Sequence, residues 1–310
     1  MPVNSIEISP LVFTRPVLQT IDDVIPRAAG VALRILRLDL IHPLIKGNKW
    51  YKLRLNIQAA KDHGYDTLLS FGGAYSNHLY ALAVVGRLLG MRTIGVVRGE
   101  QALPLNPVLE FALEQGMVLH DVSRTDYREK ESPAFAAHLR ECFGEFYLIP
   151  EGGANVDGVR GCSDITASLT WATESPNRYL ALACGTGATL AGLLLGRRDG
   201  YRILGVSALK GDFLERDVRT LLQNCGASDP GGWSVSQEWH CGGYARFSPE
   251  LLYFIEGFQC RTGIALEPVY TGKLMRALYI MLDRGEFPPG SEVIALHTGG
   301  LQAFVENIPT

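Results

Sequence analysis

At 310 residues the chain is about twice the length of a typical single domain, which predicts two compact lobes. With 47% hydrophobic and 20% charged residues it is too apolar for a disordered chain, and a formal net charge of −3 gives no electrostatic basis for a nucleic-acid or anionic-membrane partner. Six cysteines without a CxxC pair exclude a disulfide scaffold or zinc site, and no metal is expected.

The opening MPVNSIEISPLVF lacks the basic and apolar regions of a secretory leader, so a cytoplasmic protein is expected. Apolar runs and amphipathic stretches then alternate. They predict a strand at 33–38, a helix at 49–62, a strand at 67–71, a helix at 77–89 and a strand at 93–97. A helix at 106–115, a strand at 118–122, a helix at 134–142 and a strand at 145–149 follow. The second half predicts strands at 179–184, 202–206 and 292–296, with helices at 213–222, 249–260 and 272–284. Such alternation predicts an α/β protein with doubly wound parallel sheets. Residues 179–196 hold 18 positions without a charge, near the length of a membrane span. Gly185, Thr186, Gly187 and Thr189 interrupt that run, so a buried strand, a glycine turn and a buried helix account for it better. In doubly wound sheets ligands bind where strands end and helices begin, which singles out the loops at 72–78, 152–155 and 185–189.

Four segments could carry chemistry, and each also has a plain structural reading. Gly185-Thr186-Gly187-Ala188-Thr189 places successive amides at a helix N-terminus, an anion cradle or simply a tight turn. It lacks the lysine of a Walker loop. As a dinucleotide fingerprint it lacks the acidic residue about twenty positions on, where the sequence reads GVSALK. Ser76, Asn77 and His78 set a hydroxyl, an amide and an imidazole at another helix start; Ser76 either caps that helix or helps bind a carboxylate. Lys49 follows Asn48, a candidate helix cap, and sits against the positive end of the helix dipole. A desolvated lysine makes a nucleophile for carbonyls, although most lysines are solvated surface charges. Tyr244 and Tyr270 lie in glycine-rich surroundings and, among twelve tyrosines, could be packed aromatics.

Read together, these segments resemble the pyridoxal-phosphate enzymes that include 1-aminocyclopropane-1-carboxylate deaminase and D-cysteine desulfhydrase. GNKWYKL is similar to that family's GGNKxRKL, and DTLLSFGGAYSNH to its DTLxxxGxxQSNH. LACGTGATLAG is similar to its TGST phosphate loop, and LEPVYTGKLMRALYIMLDRGEF…VIALHTGG to its DPVYxGKxM…HxGG ending. The resemblance implies pyridoxal 5′-phosphate as cofactor, with Lys49 as the Schiff-base lysine and proton shuttle. It implies that Gly185 to Thr189 and Lys52 hold the phosphate, that Asn77 bonds the pyridoxal 3′-oxygen, and that Thr271 and Thr298 also border the cofactor. Ser76, with Tyr75, Asn77 and His78 around it, would bind the substrate carboxylate, and Tyr244 and Tyr270 would handle protons or the leaving group. The implied fold is tryptophan-synthase-β-like, fold type II: a small α/β lobe at 56–155 inserted in a large lobe of 1–55 plus 156–310. A homodimer acting on a small amino acid is implied as well.

In this family the deaminase resembled has Glu after the VY tyrosine and Leu after the last His, and the desulfhydrases have Thr at both. Thr271 and Thr298 therefore point to a lyase that β-eliminates sulfide from D-cysteine, leaving pyruvate and ammonia, with the deaminase as the alternative. A hydroxyl at 271 brings no charge toward the pyridine nitrogen, which suits β-elimination better than opening a cyclopropane. Lys46, Trp50, Tyr51 and Tyr75 depart from the family pattern near the expected site. Two readings of other classes are a nicotinamide-dependent oxidoreductase and a non-catalytic pyridoxal-phosphate-binding protein.

Overall fold

The strand–helix alternation folds into two parallel sheets covered on both faces by helices. A computed structural model describes residues 11–101, 103–172, 174–198 and 200–301. Residues 1–10, most of the stretch read for a leader, lie outside the described residues. In chain order the elements are β1 (Val17–Thr20), α1 (Val24–Ala28), β2 (Ala32–Arg37), α2 (Lys49–Asp62), β3 (Thr67–Gly72), α3 (Asn77–Leu89) and β4 (Arg92–Arg98). Next come α4 (Pro107–Glu114), β5 (Val118–Val122), α5 (Pro133–Phe143), β6 (Tyr147–Ile149), α6 (Val156–Ser163), β7 (Arg178–Cys184) and α7 (Ala188–Leu195). The chain continues through β8 (Arg202–Ser207), α8 (Leu214–Asn224), β9 (Trp233–Ser236), α9 (Pro249–Thr262), α10 (Thr271–Asp283) and β10 (Glu292–His297).

One sheet has the order β1-β2-β10-β7-β8-β9 and the other β5-β4-β3-β6. Every pairing is parallel except β1 with β2. Burial follows the two-residue period of a strand. In β2 and β10, Leu33, Ile35, Val293 and Ala295 pack toward α9 and α10, while Leu36, Ile294 and Leu296 pack toward α6, α7 and α8. The smaller sheet divides likewise, Leu68 and Val97 facing α2, α3 and α4, and Leu69, Phe71, Ile94 and Val96 facing α5.

The uncharged run at 179–196 resolves into β7, the glycine turn and α7. Among the described residues no helix is long and apolar enough to cross a membrane. Two edge strands, β1 (VLQT) and β9 (WSVS), escape the sequence reading because they are four residues long and largely solvent-facing, without an apolar run. The helix α6 (VDGVRGCS) escapes it because Gly158 and Gly161 lower helix propensity. Those glycines are there for contact. A Cβ at Gly161 would overlap the Tyr51 carbonyl of α2, one at Gly158 the Gly153 carbonyl, and one at Gly192 of α7 the Cys162 side chain. Three helices thus approach backbone to backbone, and α2 and α7, which open onto the carboxyl ends of the strands, are locked together through α6. Gly161→Ala is expected to destabilise the protein by about 1–3 kcal/mol through overpacking, despite alanine's better propensity. The test is a lower urea midpoint at unchanged m-value.

Candidate active site

The carboxyl ends of β3, β4, β6, β7 and β10 converge on a cavity of about 250 Å³. Lys49, the first residue of α2, lines it half-buried, and the pKa of its amine is lowered to about 7 by desolvation and then by the charge of Lys52. The Lys49 Nζ donates to Asn48 Oδ1 at 2.6 Å. Asn48 occupies the cap position of α2 but does not cap it, contrary to the sequence expectation. Its Nδ2 instead donates to Thr189 Oγ1 at 2.8 Å, joining α2 to α7. Lys52, one turn on, is 5% exposed, its pKa lowered by desolvation, and its Nζ has no hydrogen bond or ion pair among the described residues.

The turn at 185–189 has the geometry of an anion cradle. Gly187 takes φ 80° at the start of α7, and a Cβ there would press on Val218. Gly185 lies against the Tyr270 ring. The buried Thr186 hydroxyl faces the cavity without a hydrogen-bond partner, which costs about 1–3 kcal/mol unless a ligand takes it up. Ala188 belongs to the same turn but is buried behind the wall.

Ser76 satisfies both of its readings. Its Oγ accepts the Leu79 amide at 3.2 Å as the α3 cap, and it also lines the cavity, where its own O–H remains to donate. Asn77 and Thr298 line the cavity as well. His78 lines it too. Ser70 Oγ spends its proton on the Ile149 carbonyl at 2.8 Å, so His78 Nε2, 3.0 Å away, must donate to Ser70. Nδ1 is left as a bare, unpartnered acceptor. Burial first, then the charges of Lys52 and Lys49, push the His78 pKa down to about 3, so the ring is neutral.

Tyr244 and Tyr270 meet edge to face with centroids 6.3 Å apart. Desolvation raises the Tyr244 pKa to about 12 and that of Tyr270 well above the ordinary value, so both phenols keep their protons. Two expected residues stand elsewhere. Tyr75 is 46% exposed and does not line the cavity. Thr271 is fully buried outside the wall, its hydroxyl and amide both bonded to Glu267 Oε1, at 3.1 and 2.6 Å.

Glu267 is a residue the sequence reading passed over, although it stands in the quoted LEPVY segment. It is a buried carboxylate accepting the amides of Val269, Tyr270 and Thr271, which caps α10 and sets Tyr270 at the cavity. It faces no cavity atom, so position 271 indeed presents no carboxylate there. Arg98 and Glu151, at the ends of β4 and β6, also border the cavity. No motif spacing marks them, because they follow apolar strands as ordinary loop residues.

These groups fit the expected cofactor: a desolvated, half-neutral amine suits an aldehyde, and the orphaned Thr186 hydroxyl, the α7 amides and unpaired Lys52 suit a phosphate. Comparison with known proteins agrees. A family model described as "Pyridoxal-phosphate dependent enzyme" matches residues 24–299. The bifunctional D-cysteine desulfhydrase/1-aminocyclopropane-1-carboxylate deaminase, mitochondrial, of Arabidopsis thaliana is 29% identical over 302 residues, covering 90% of this chain and 75% of that protein. A 1-aminocyclopropane-1-carboxylate deaminase of Pseudomonas syringae pv. tomato is 28% identical over 283 residues, covering 83% and 82%. A crystal structure of an ACC deaminase homologue superposes with a TM-score of 0.82 at 26% identity, covering 94% of this chain and 91% of that one.

A neutral amine attacks a carbonyl and its ammonium does not. Labelling of Lys49 in the cofactor-free protein by a small aldehyde, trapped with borohydride and mapped by peptide mass, is therefore expected to reach half its plateau at about pH 7. Surface lysines in the same digests should keep gaining up to about pH 10. A Lys49 profile that climbs with theirs would mean that burial does not hold its amine neutral.

Proposed function

Because the chain belongs to the pyridoxal-phosphate dependent enzyme family and has the type II fold of those enzymes, we propose that it is a lyase acting on a small amino acid, most like D-cysteine desulfhydrase. Membership closes the nicotinamide and non-catalytic readings. The observation that carries the proposal is the shared cavity: a dry amine, an orphaned anion cradle and two protonated phenols open onto one space.

When bound, pyridoxal phosphate supplies an electron sink for the bond broken at the substrate Cα. In this reading the α7 amides, Thr186 and Lys52 bind the phosphate, and Asn77 lies toward the ring oxygen. The Ser76 O–H and the first amides of α3 bind the substrate carboxylate. His78, being neutral with its N–H committed to Ser70, offers that carboxylate no charge. Lys49 Nζ, half of it uncharged near neutral pH, takes the Cα proton. Tyr270 or Tyr244 gives a proton to the departing sulfur, since both are held in the protonated form. D-cysteine and one water then yield hydrogen sulfide, ammonia and pyruvate. The plant relative bears both names, which supports 1-aminocyclopropane-1-carboxylate as a second substrate to assay.

The proposal includes the inserted lobe at 56–155, a homodimer and a cytoplasmic setting. All six cysteines are free thiols, which supports a reducing compartment. Exposed Val12, Leu40 and Leu44, on segments that Thr14 joins through the Leu40 and Ile41 carbonyls, support a contact between copies. A sedimentation mass of twice 33.9 kDa is the expected result.

The purified enzyme is expected to show a visible absorption band that shifts on adding D-cysteine while pyruvate and sulfide accumulate. A band unmoved by D-cysteine would sink the desulfhydrase reading and leave the cofactor in place. Lys49→Ala should lose the covalent band and on the order of 10³-fold or more in turnover. Tyr270→Phe should keep the band and lose about 10²-fold.

A further inference from the structure

Lys273 is a buried ammonium with no carboxylate in contact among the described residues. Its side chain is 1% exposed, and Nζ donates to three backbone carbonyls: His240 at 2.8 Å, Gly243 at 2.9 Å and Ala208 at 3.3 Å. Three donated bonds require the charged form, since a neutral amine has only two N–H groups. Burying that charge carries a desolvation cost that a packed apolar side chain would not incur. The charge therefore has to be judged by what it holds.

The carbonyls belong to two segments that border the cavity. Ala208 follows β8 and precedes Leu209, a lining residue; His240 and Gly243 belong to the loop that carries Tyr244. Lys273 itself stands one turn beyond Tyr270 on α10. The Tyr244 loop lies outside any strand or helix and runs against backbone preference. Cys241 and Ala245 have φ of 52° and 51°, and Gly242 and Gly243 have φ of 92° and 127°. Non-glycine residues in that region are strained and persist only where their surroundings impose them. Within the loop the Gly243 amide donates to the His240 carbonyl at 2.9 Å and the Arg246 amide to the Gly243 carbonyl at 3.2 Å. Those two carbonyls are the same ones that Lys273 gathers.

We propose that Lys273 is a positioning residue, a tethered cation that draws the 240–245 loop and the segment after β8 together and so places the Tyr244 phenol in the cavity against Tyr270. This rests on the reading that Tyr244 serves the substrate. Burial lowers the Lys273 pKa, and Cys241 and then Glu267 act against it in favour of the charged form.

The test is a double-mutant cycle on the holoenzyme with Lys273→Ala and Tyr244→Phe, following turnover of D-cysteine and the cofactor band. Lys273→Ala is expected to keep the band, lose at least about tenfold in kcat with a smaller change in KM, and cost nothing further in the Tyr244→Phe background. Ethylammonium should restore several-fold turnover to Lys273→Ala and none to the double variant. Wild-type turnover in Lys273→Ala, or a loss that multiplies onto Tyr244→Phe, overturns the proposal. Wild-type turnover in Tyr244→Phe removes the Tyr244 role itself, and the Lys273 role with it. Should Lys273→Ala not fold, Lys273→Arg keeps the charge but presents a planar fork that does not match three converging carbonyls. The same cycle then applies, and full turnover in Lys273→Arg overturns the proposal.

Discussion

Two amines one helical turn apart on α2, the half-buried Lys49 and the buried Lys52, are desolvated with no carboxylate touching either among the described residues. Everything around the cavity answers that constraint. Desolvation and mutual repulsion hold Lys49 near half-neutral, which makes it useful as a nucleophile and base at ordinary pH. The remaining positive charge faces helix N-termini and an unpartnered hydroxyl, an arrangement that only an anion completes. His78, a third potential cation, is kept neutral by its burial and then by the same two charges.

Holding the amines dry requires the helices to sit unusually close. Glycines at 158, 161 and 192 let α2, α6 and α7 approach through their backbones, and Asn48 bridges α2 to α7 by way of Thr189. Two buried groups act at longer range. Glu267 caps α10 under Tyr270, and Lys273 gathers the carbonyls around Tyr244. The two tyrosines are thus held by opposite charges, one from behind each.

The central strands were legible because strands buried on both faces read as continuous apolar runs. The edges β1 and β9 were not, since an edge strand must stay polar to avoid pairing with another chain. Lys49, Ser76 and the 185–189 turn were legible because each sits in a local pattern that breaks or exploits a helix end, and the two tyrosines because of their glycine-rich surroundings and the motifs they share with the family. Local rules failed where tertiary contacts outbid them. Asn48 has the sequence of a cap and spends its amide on Thr189, 141 residues away. Lys273 bonds carbonyls 30, 33 and 65 residues distant, and no spacing in the sequence announces them. Tyr75 and Thr271 stood in the right motifs, yet one side chain points to water and the other to Glu267.

The unpartnered Lys52 amine and Thr186 hydroxyl also bear on the life of the chain before it is an enzyme. A fold that carries uncompensated charge and a stranded hydroxyl is frustrated until an anion arrives, so occupancy and folding are thermodynamically linked. Above the dissociation constant, each tenfold rise in free cofactor adds about 1.4 kcal/mol to the folded state. For a protein of ordinary marginal stability that is enough to alter how much of it escapes proteolysis. The abundance of the enzyme in a cell would then follow the supply of vitamin B6.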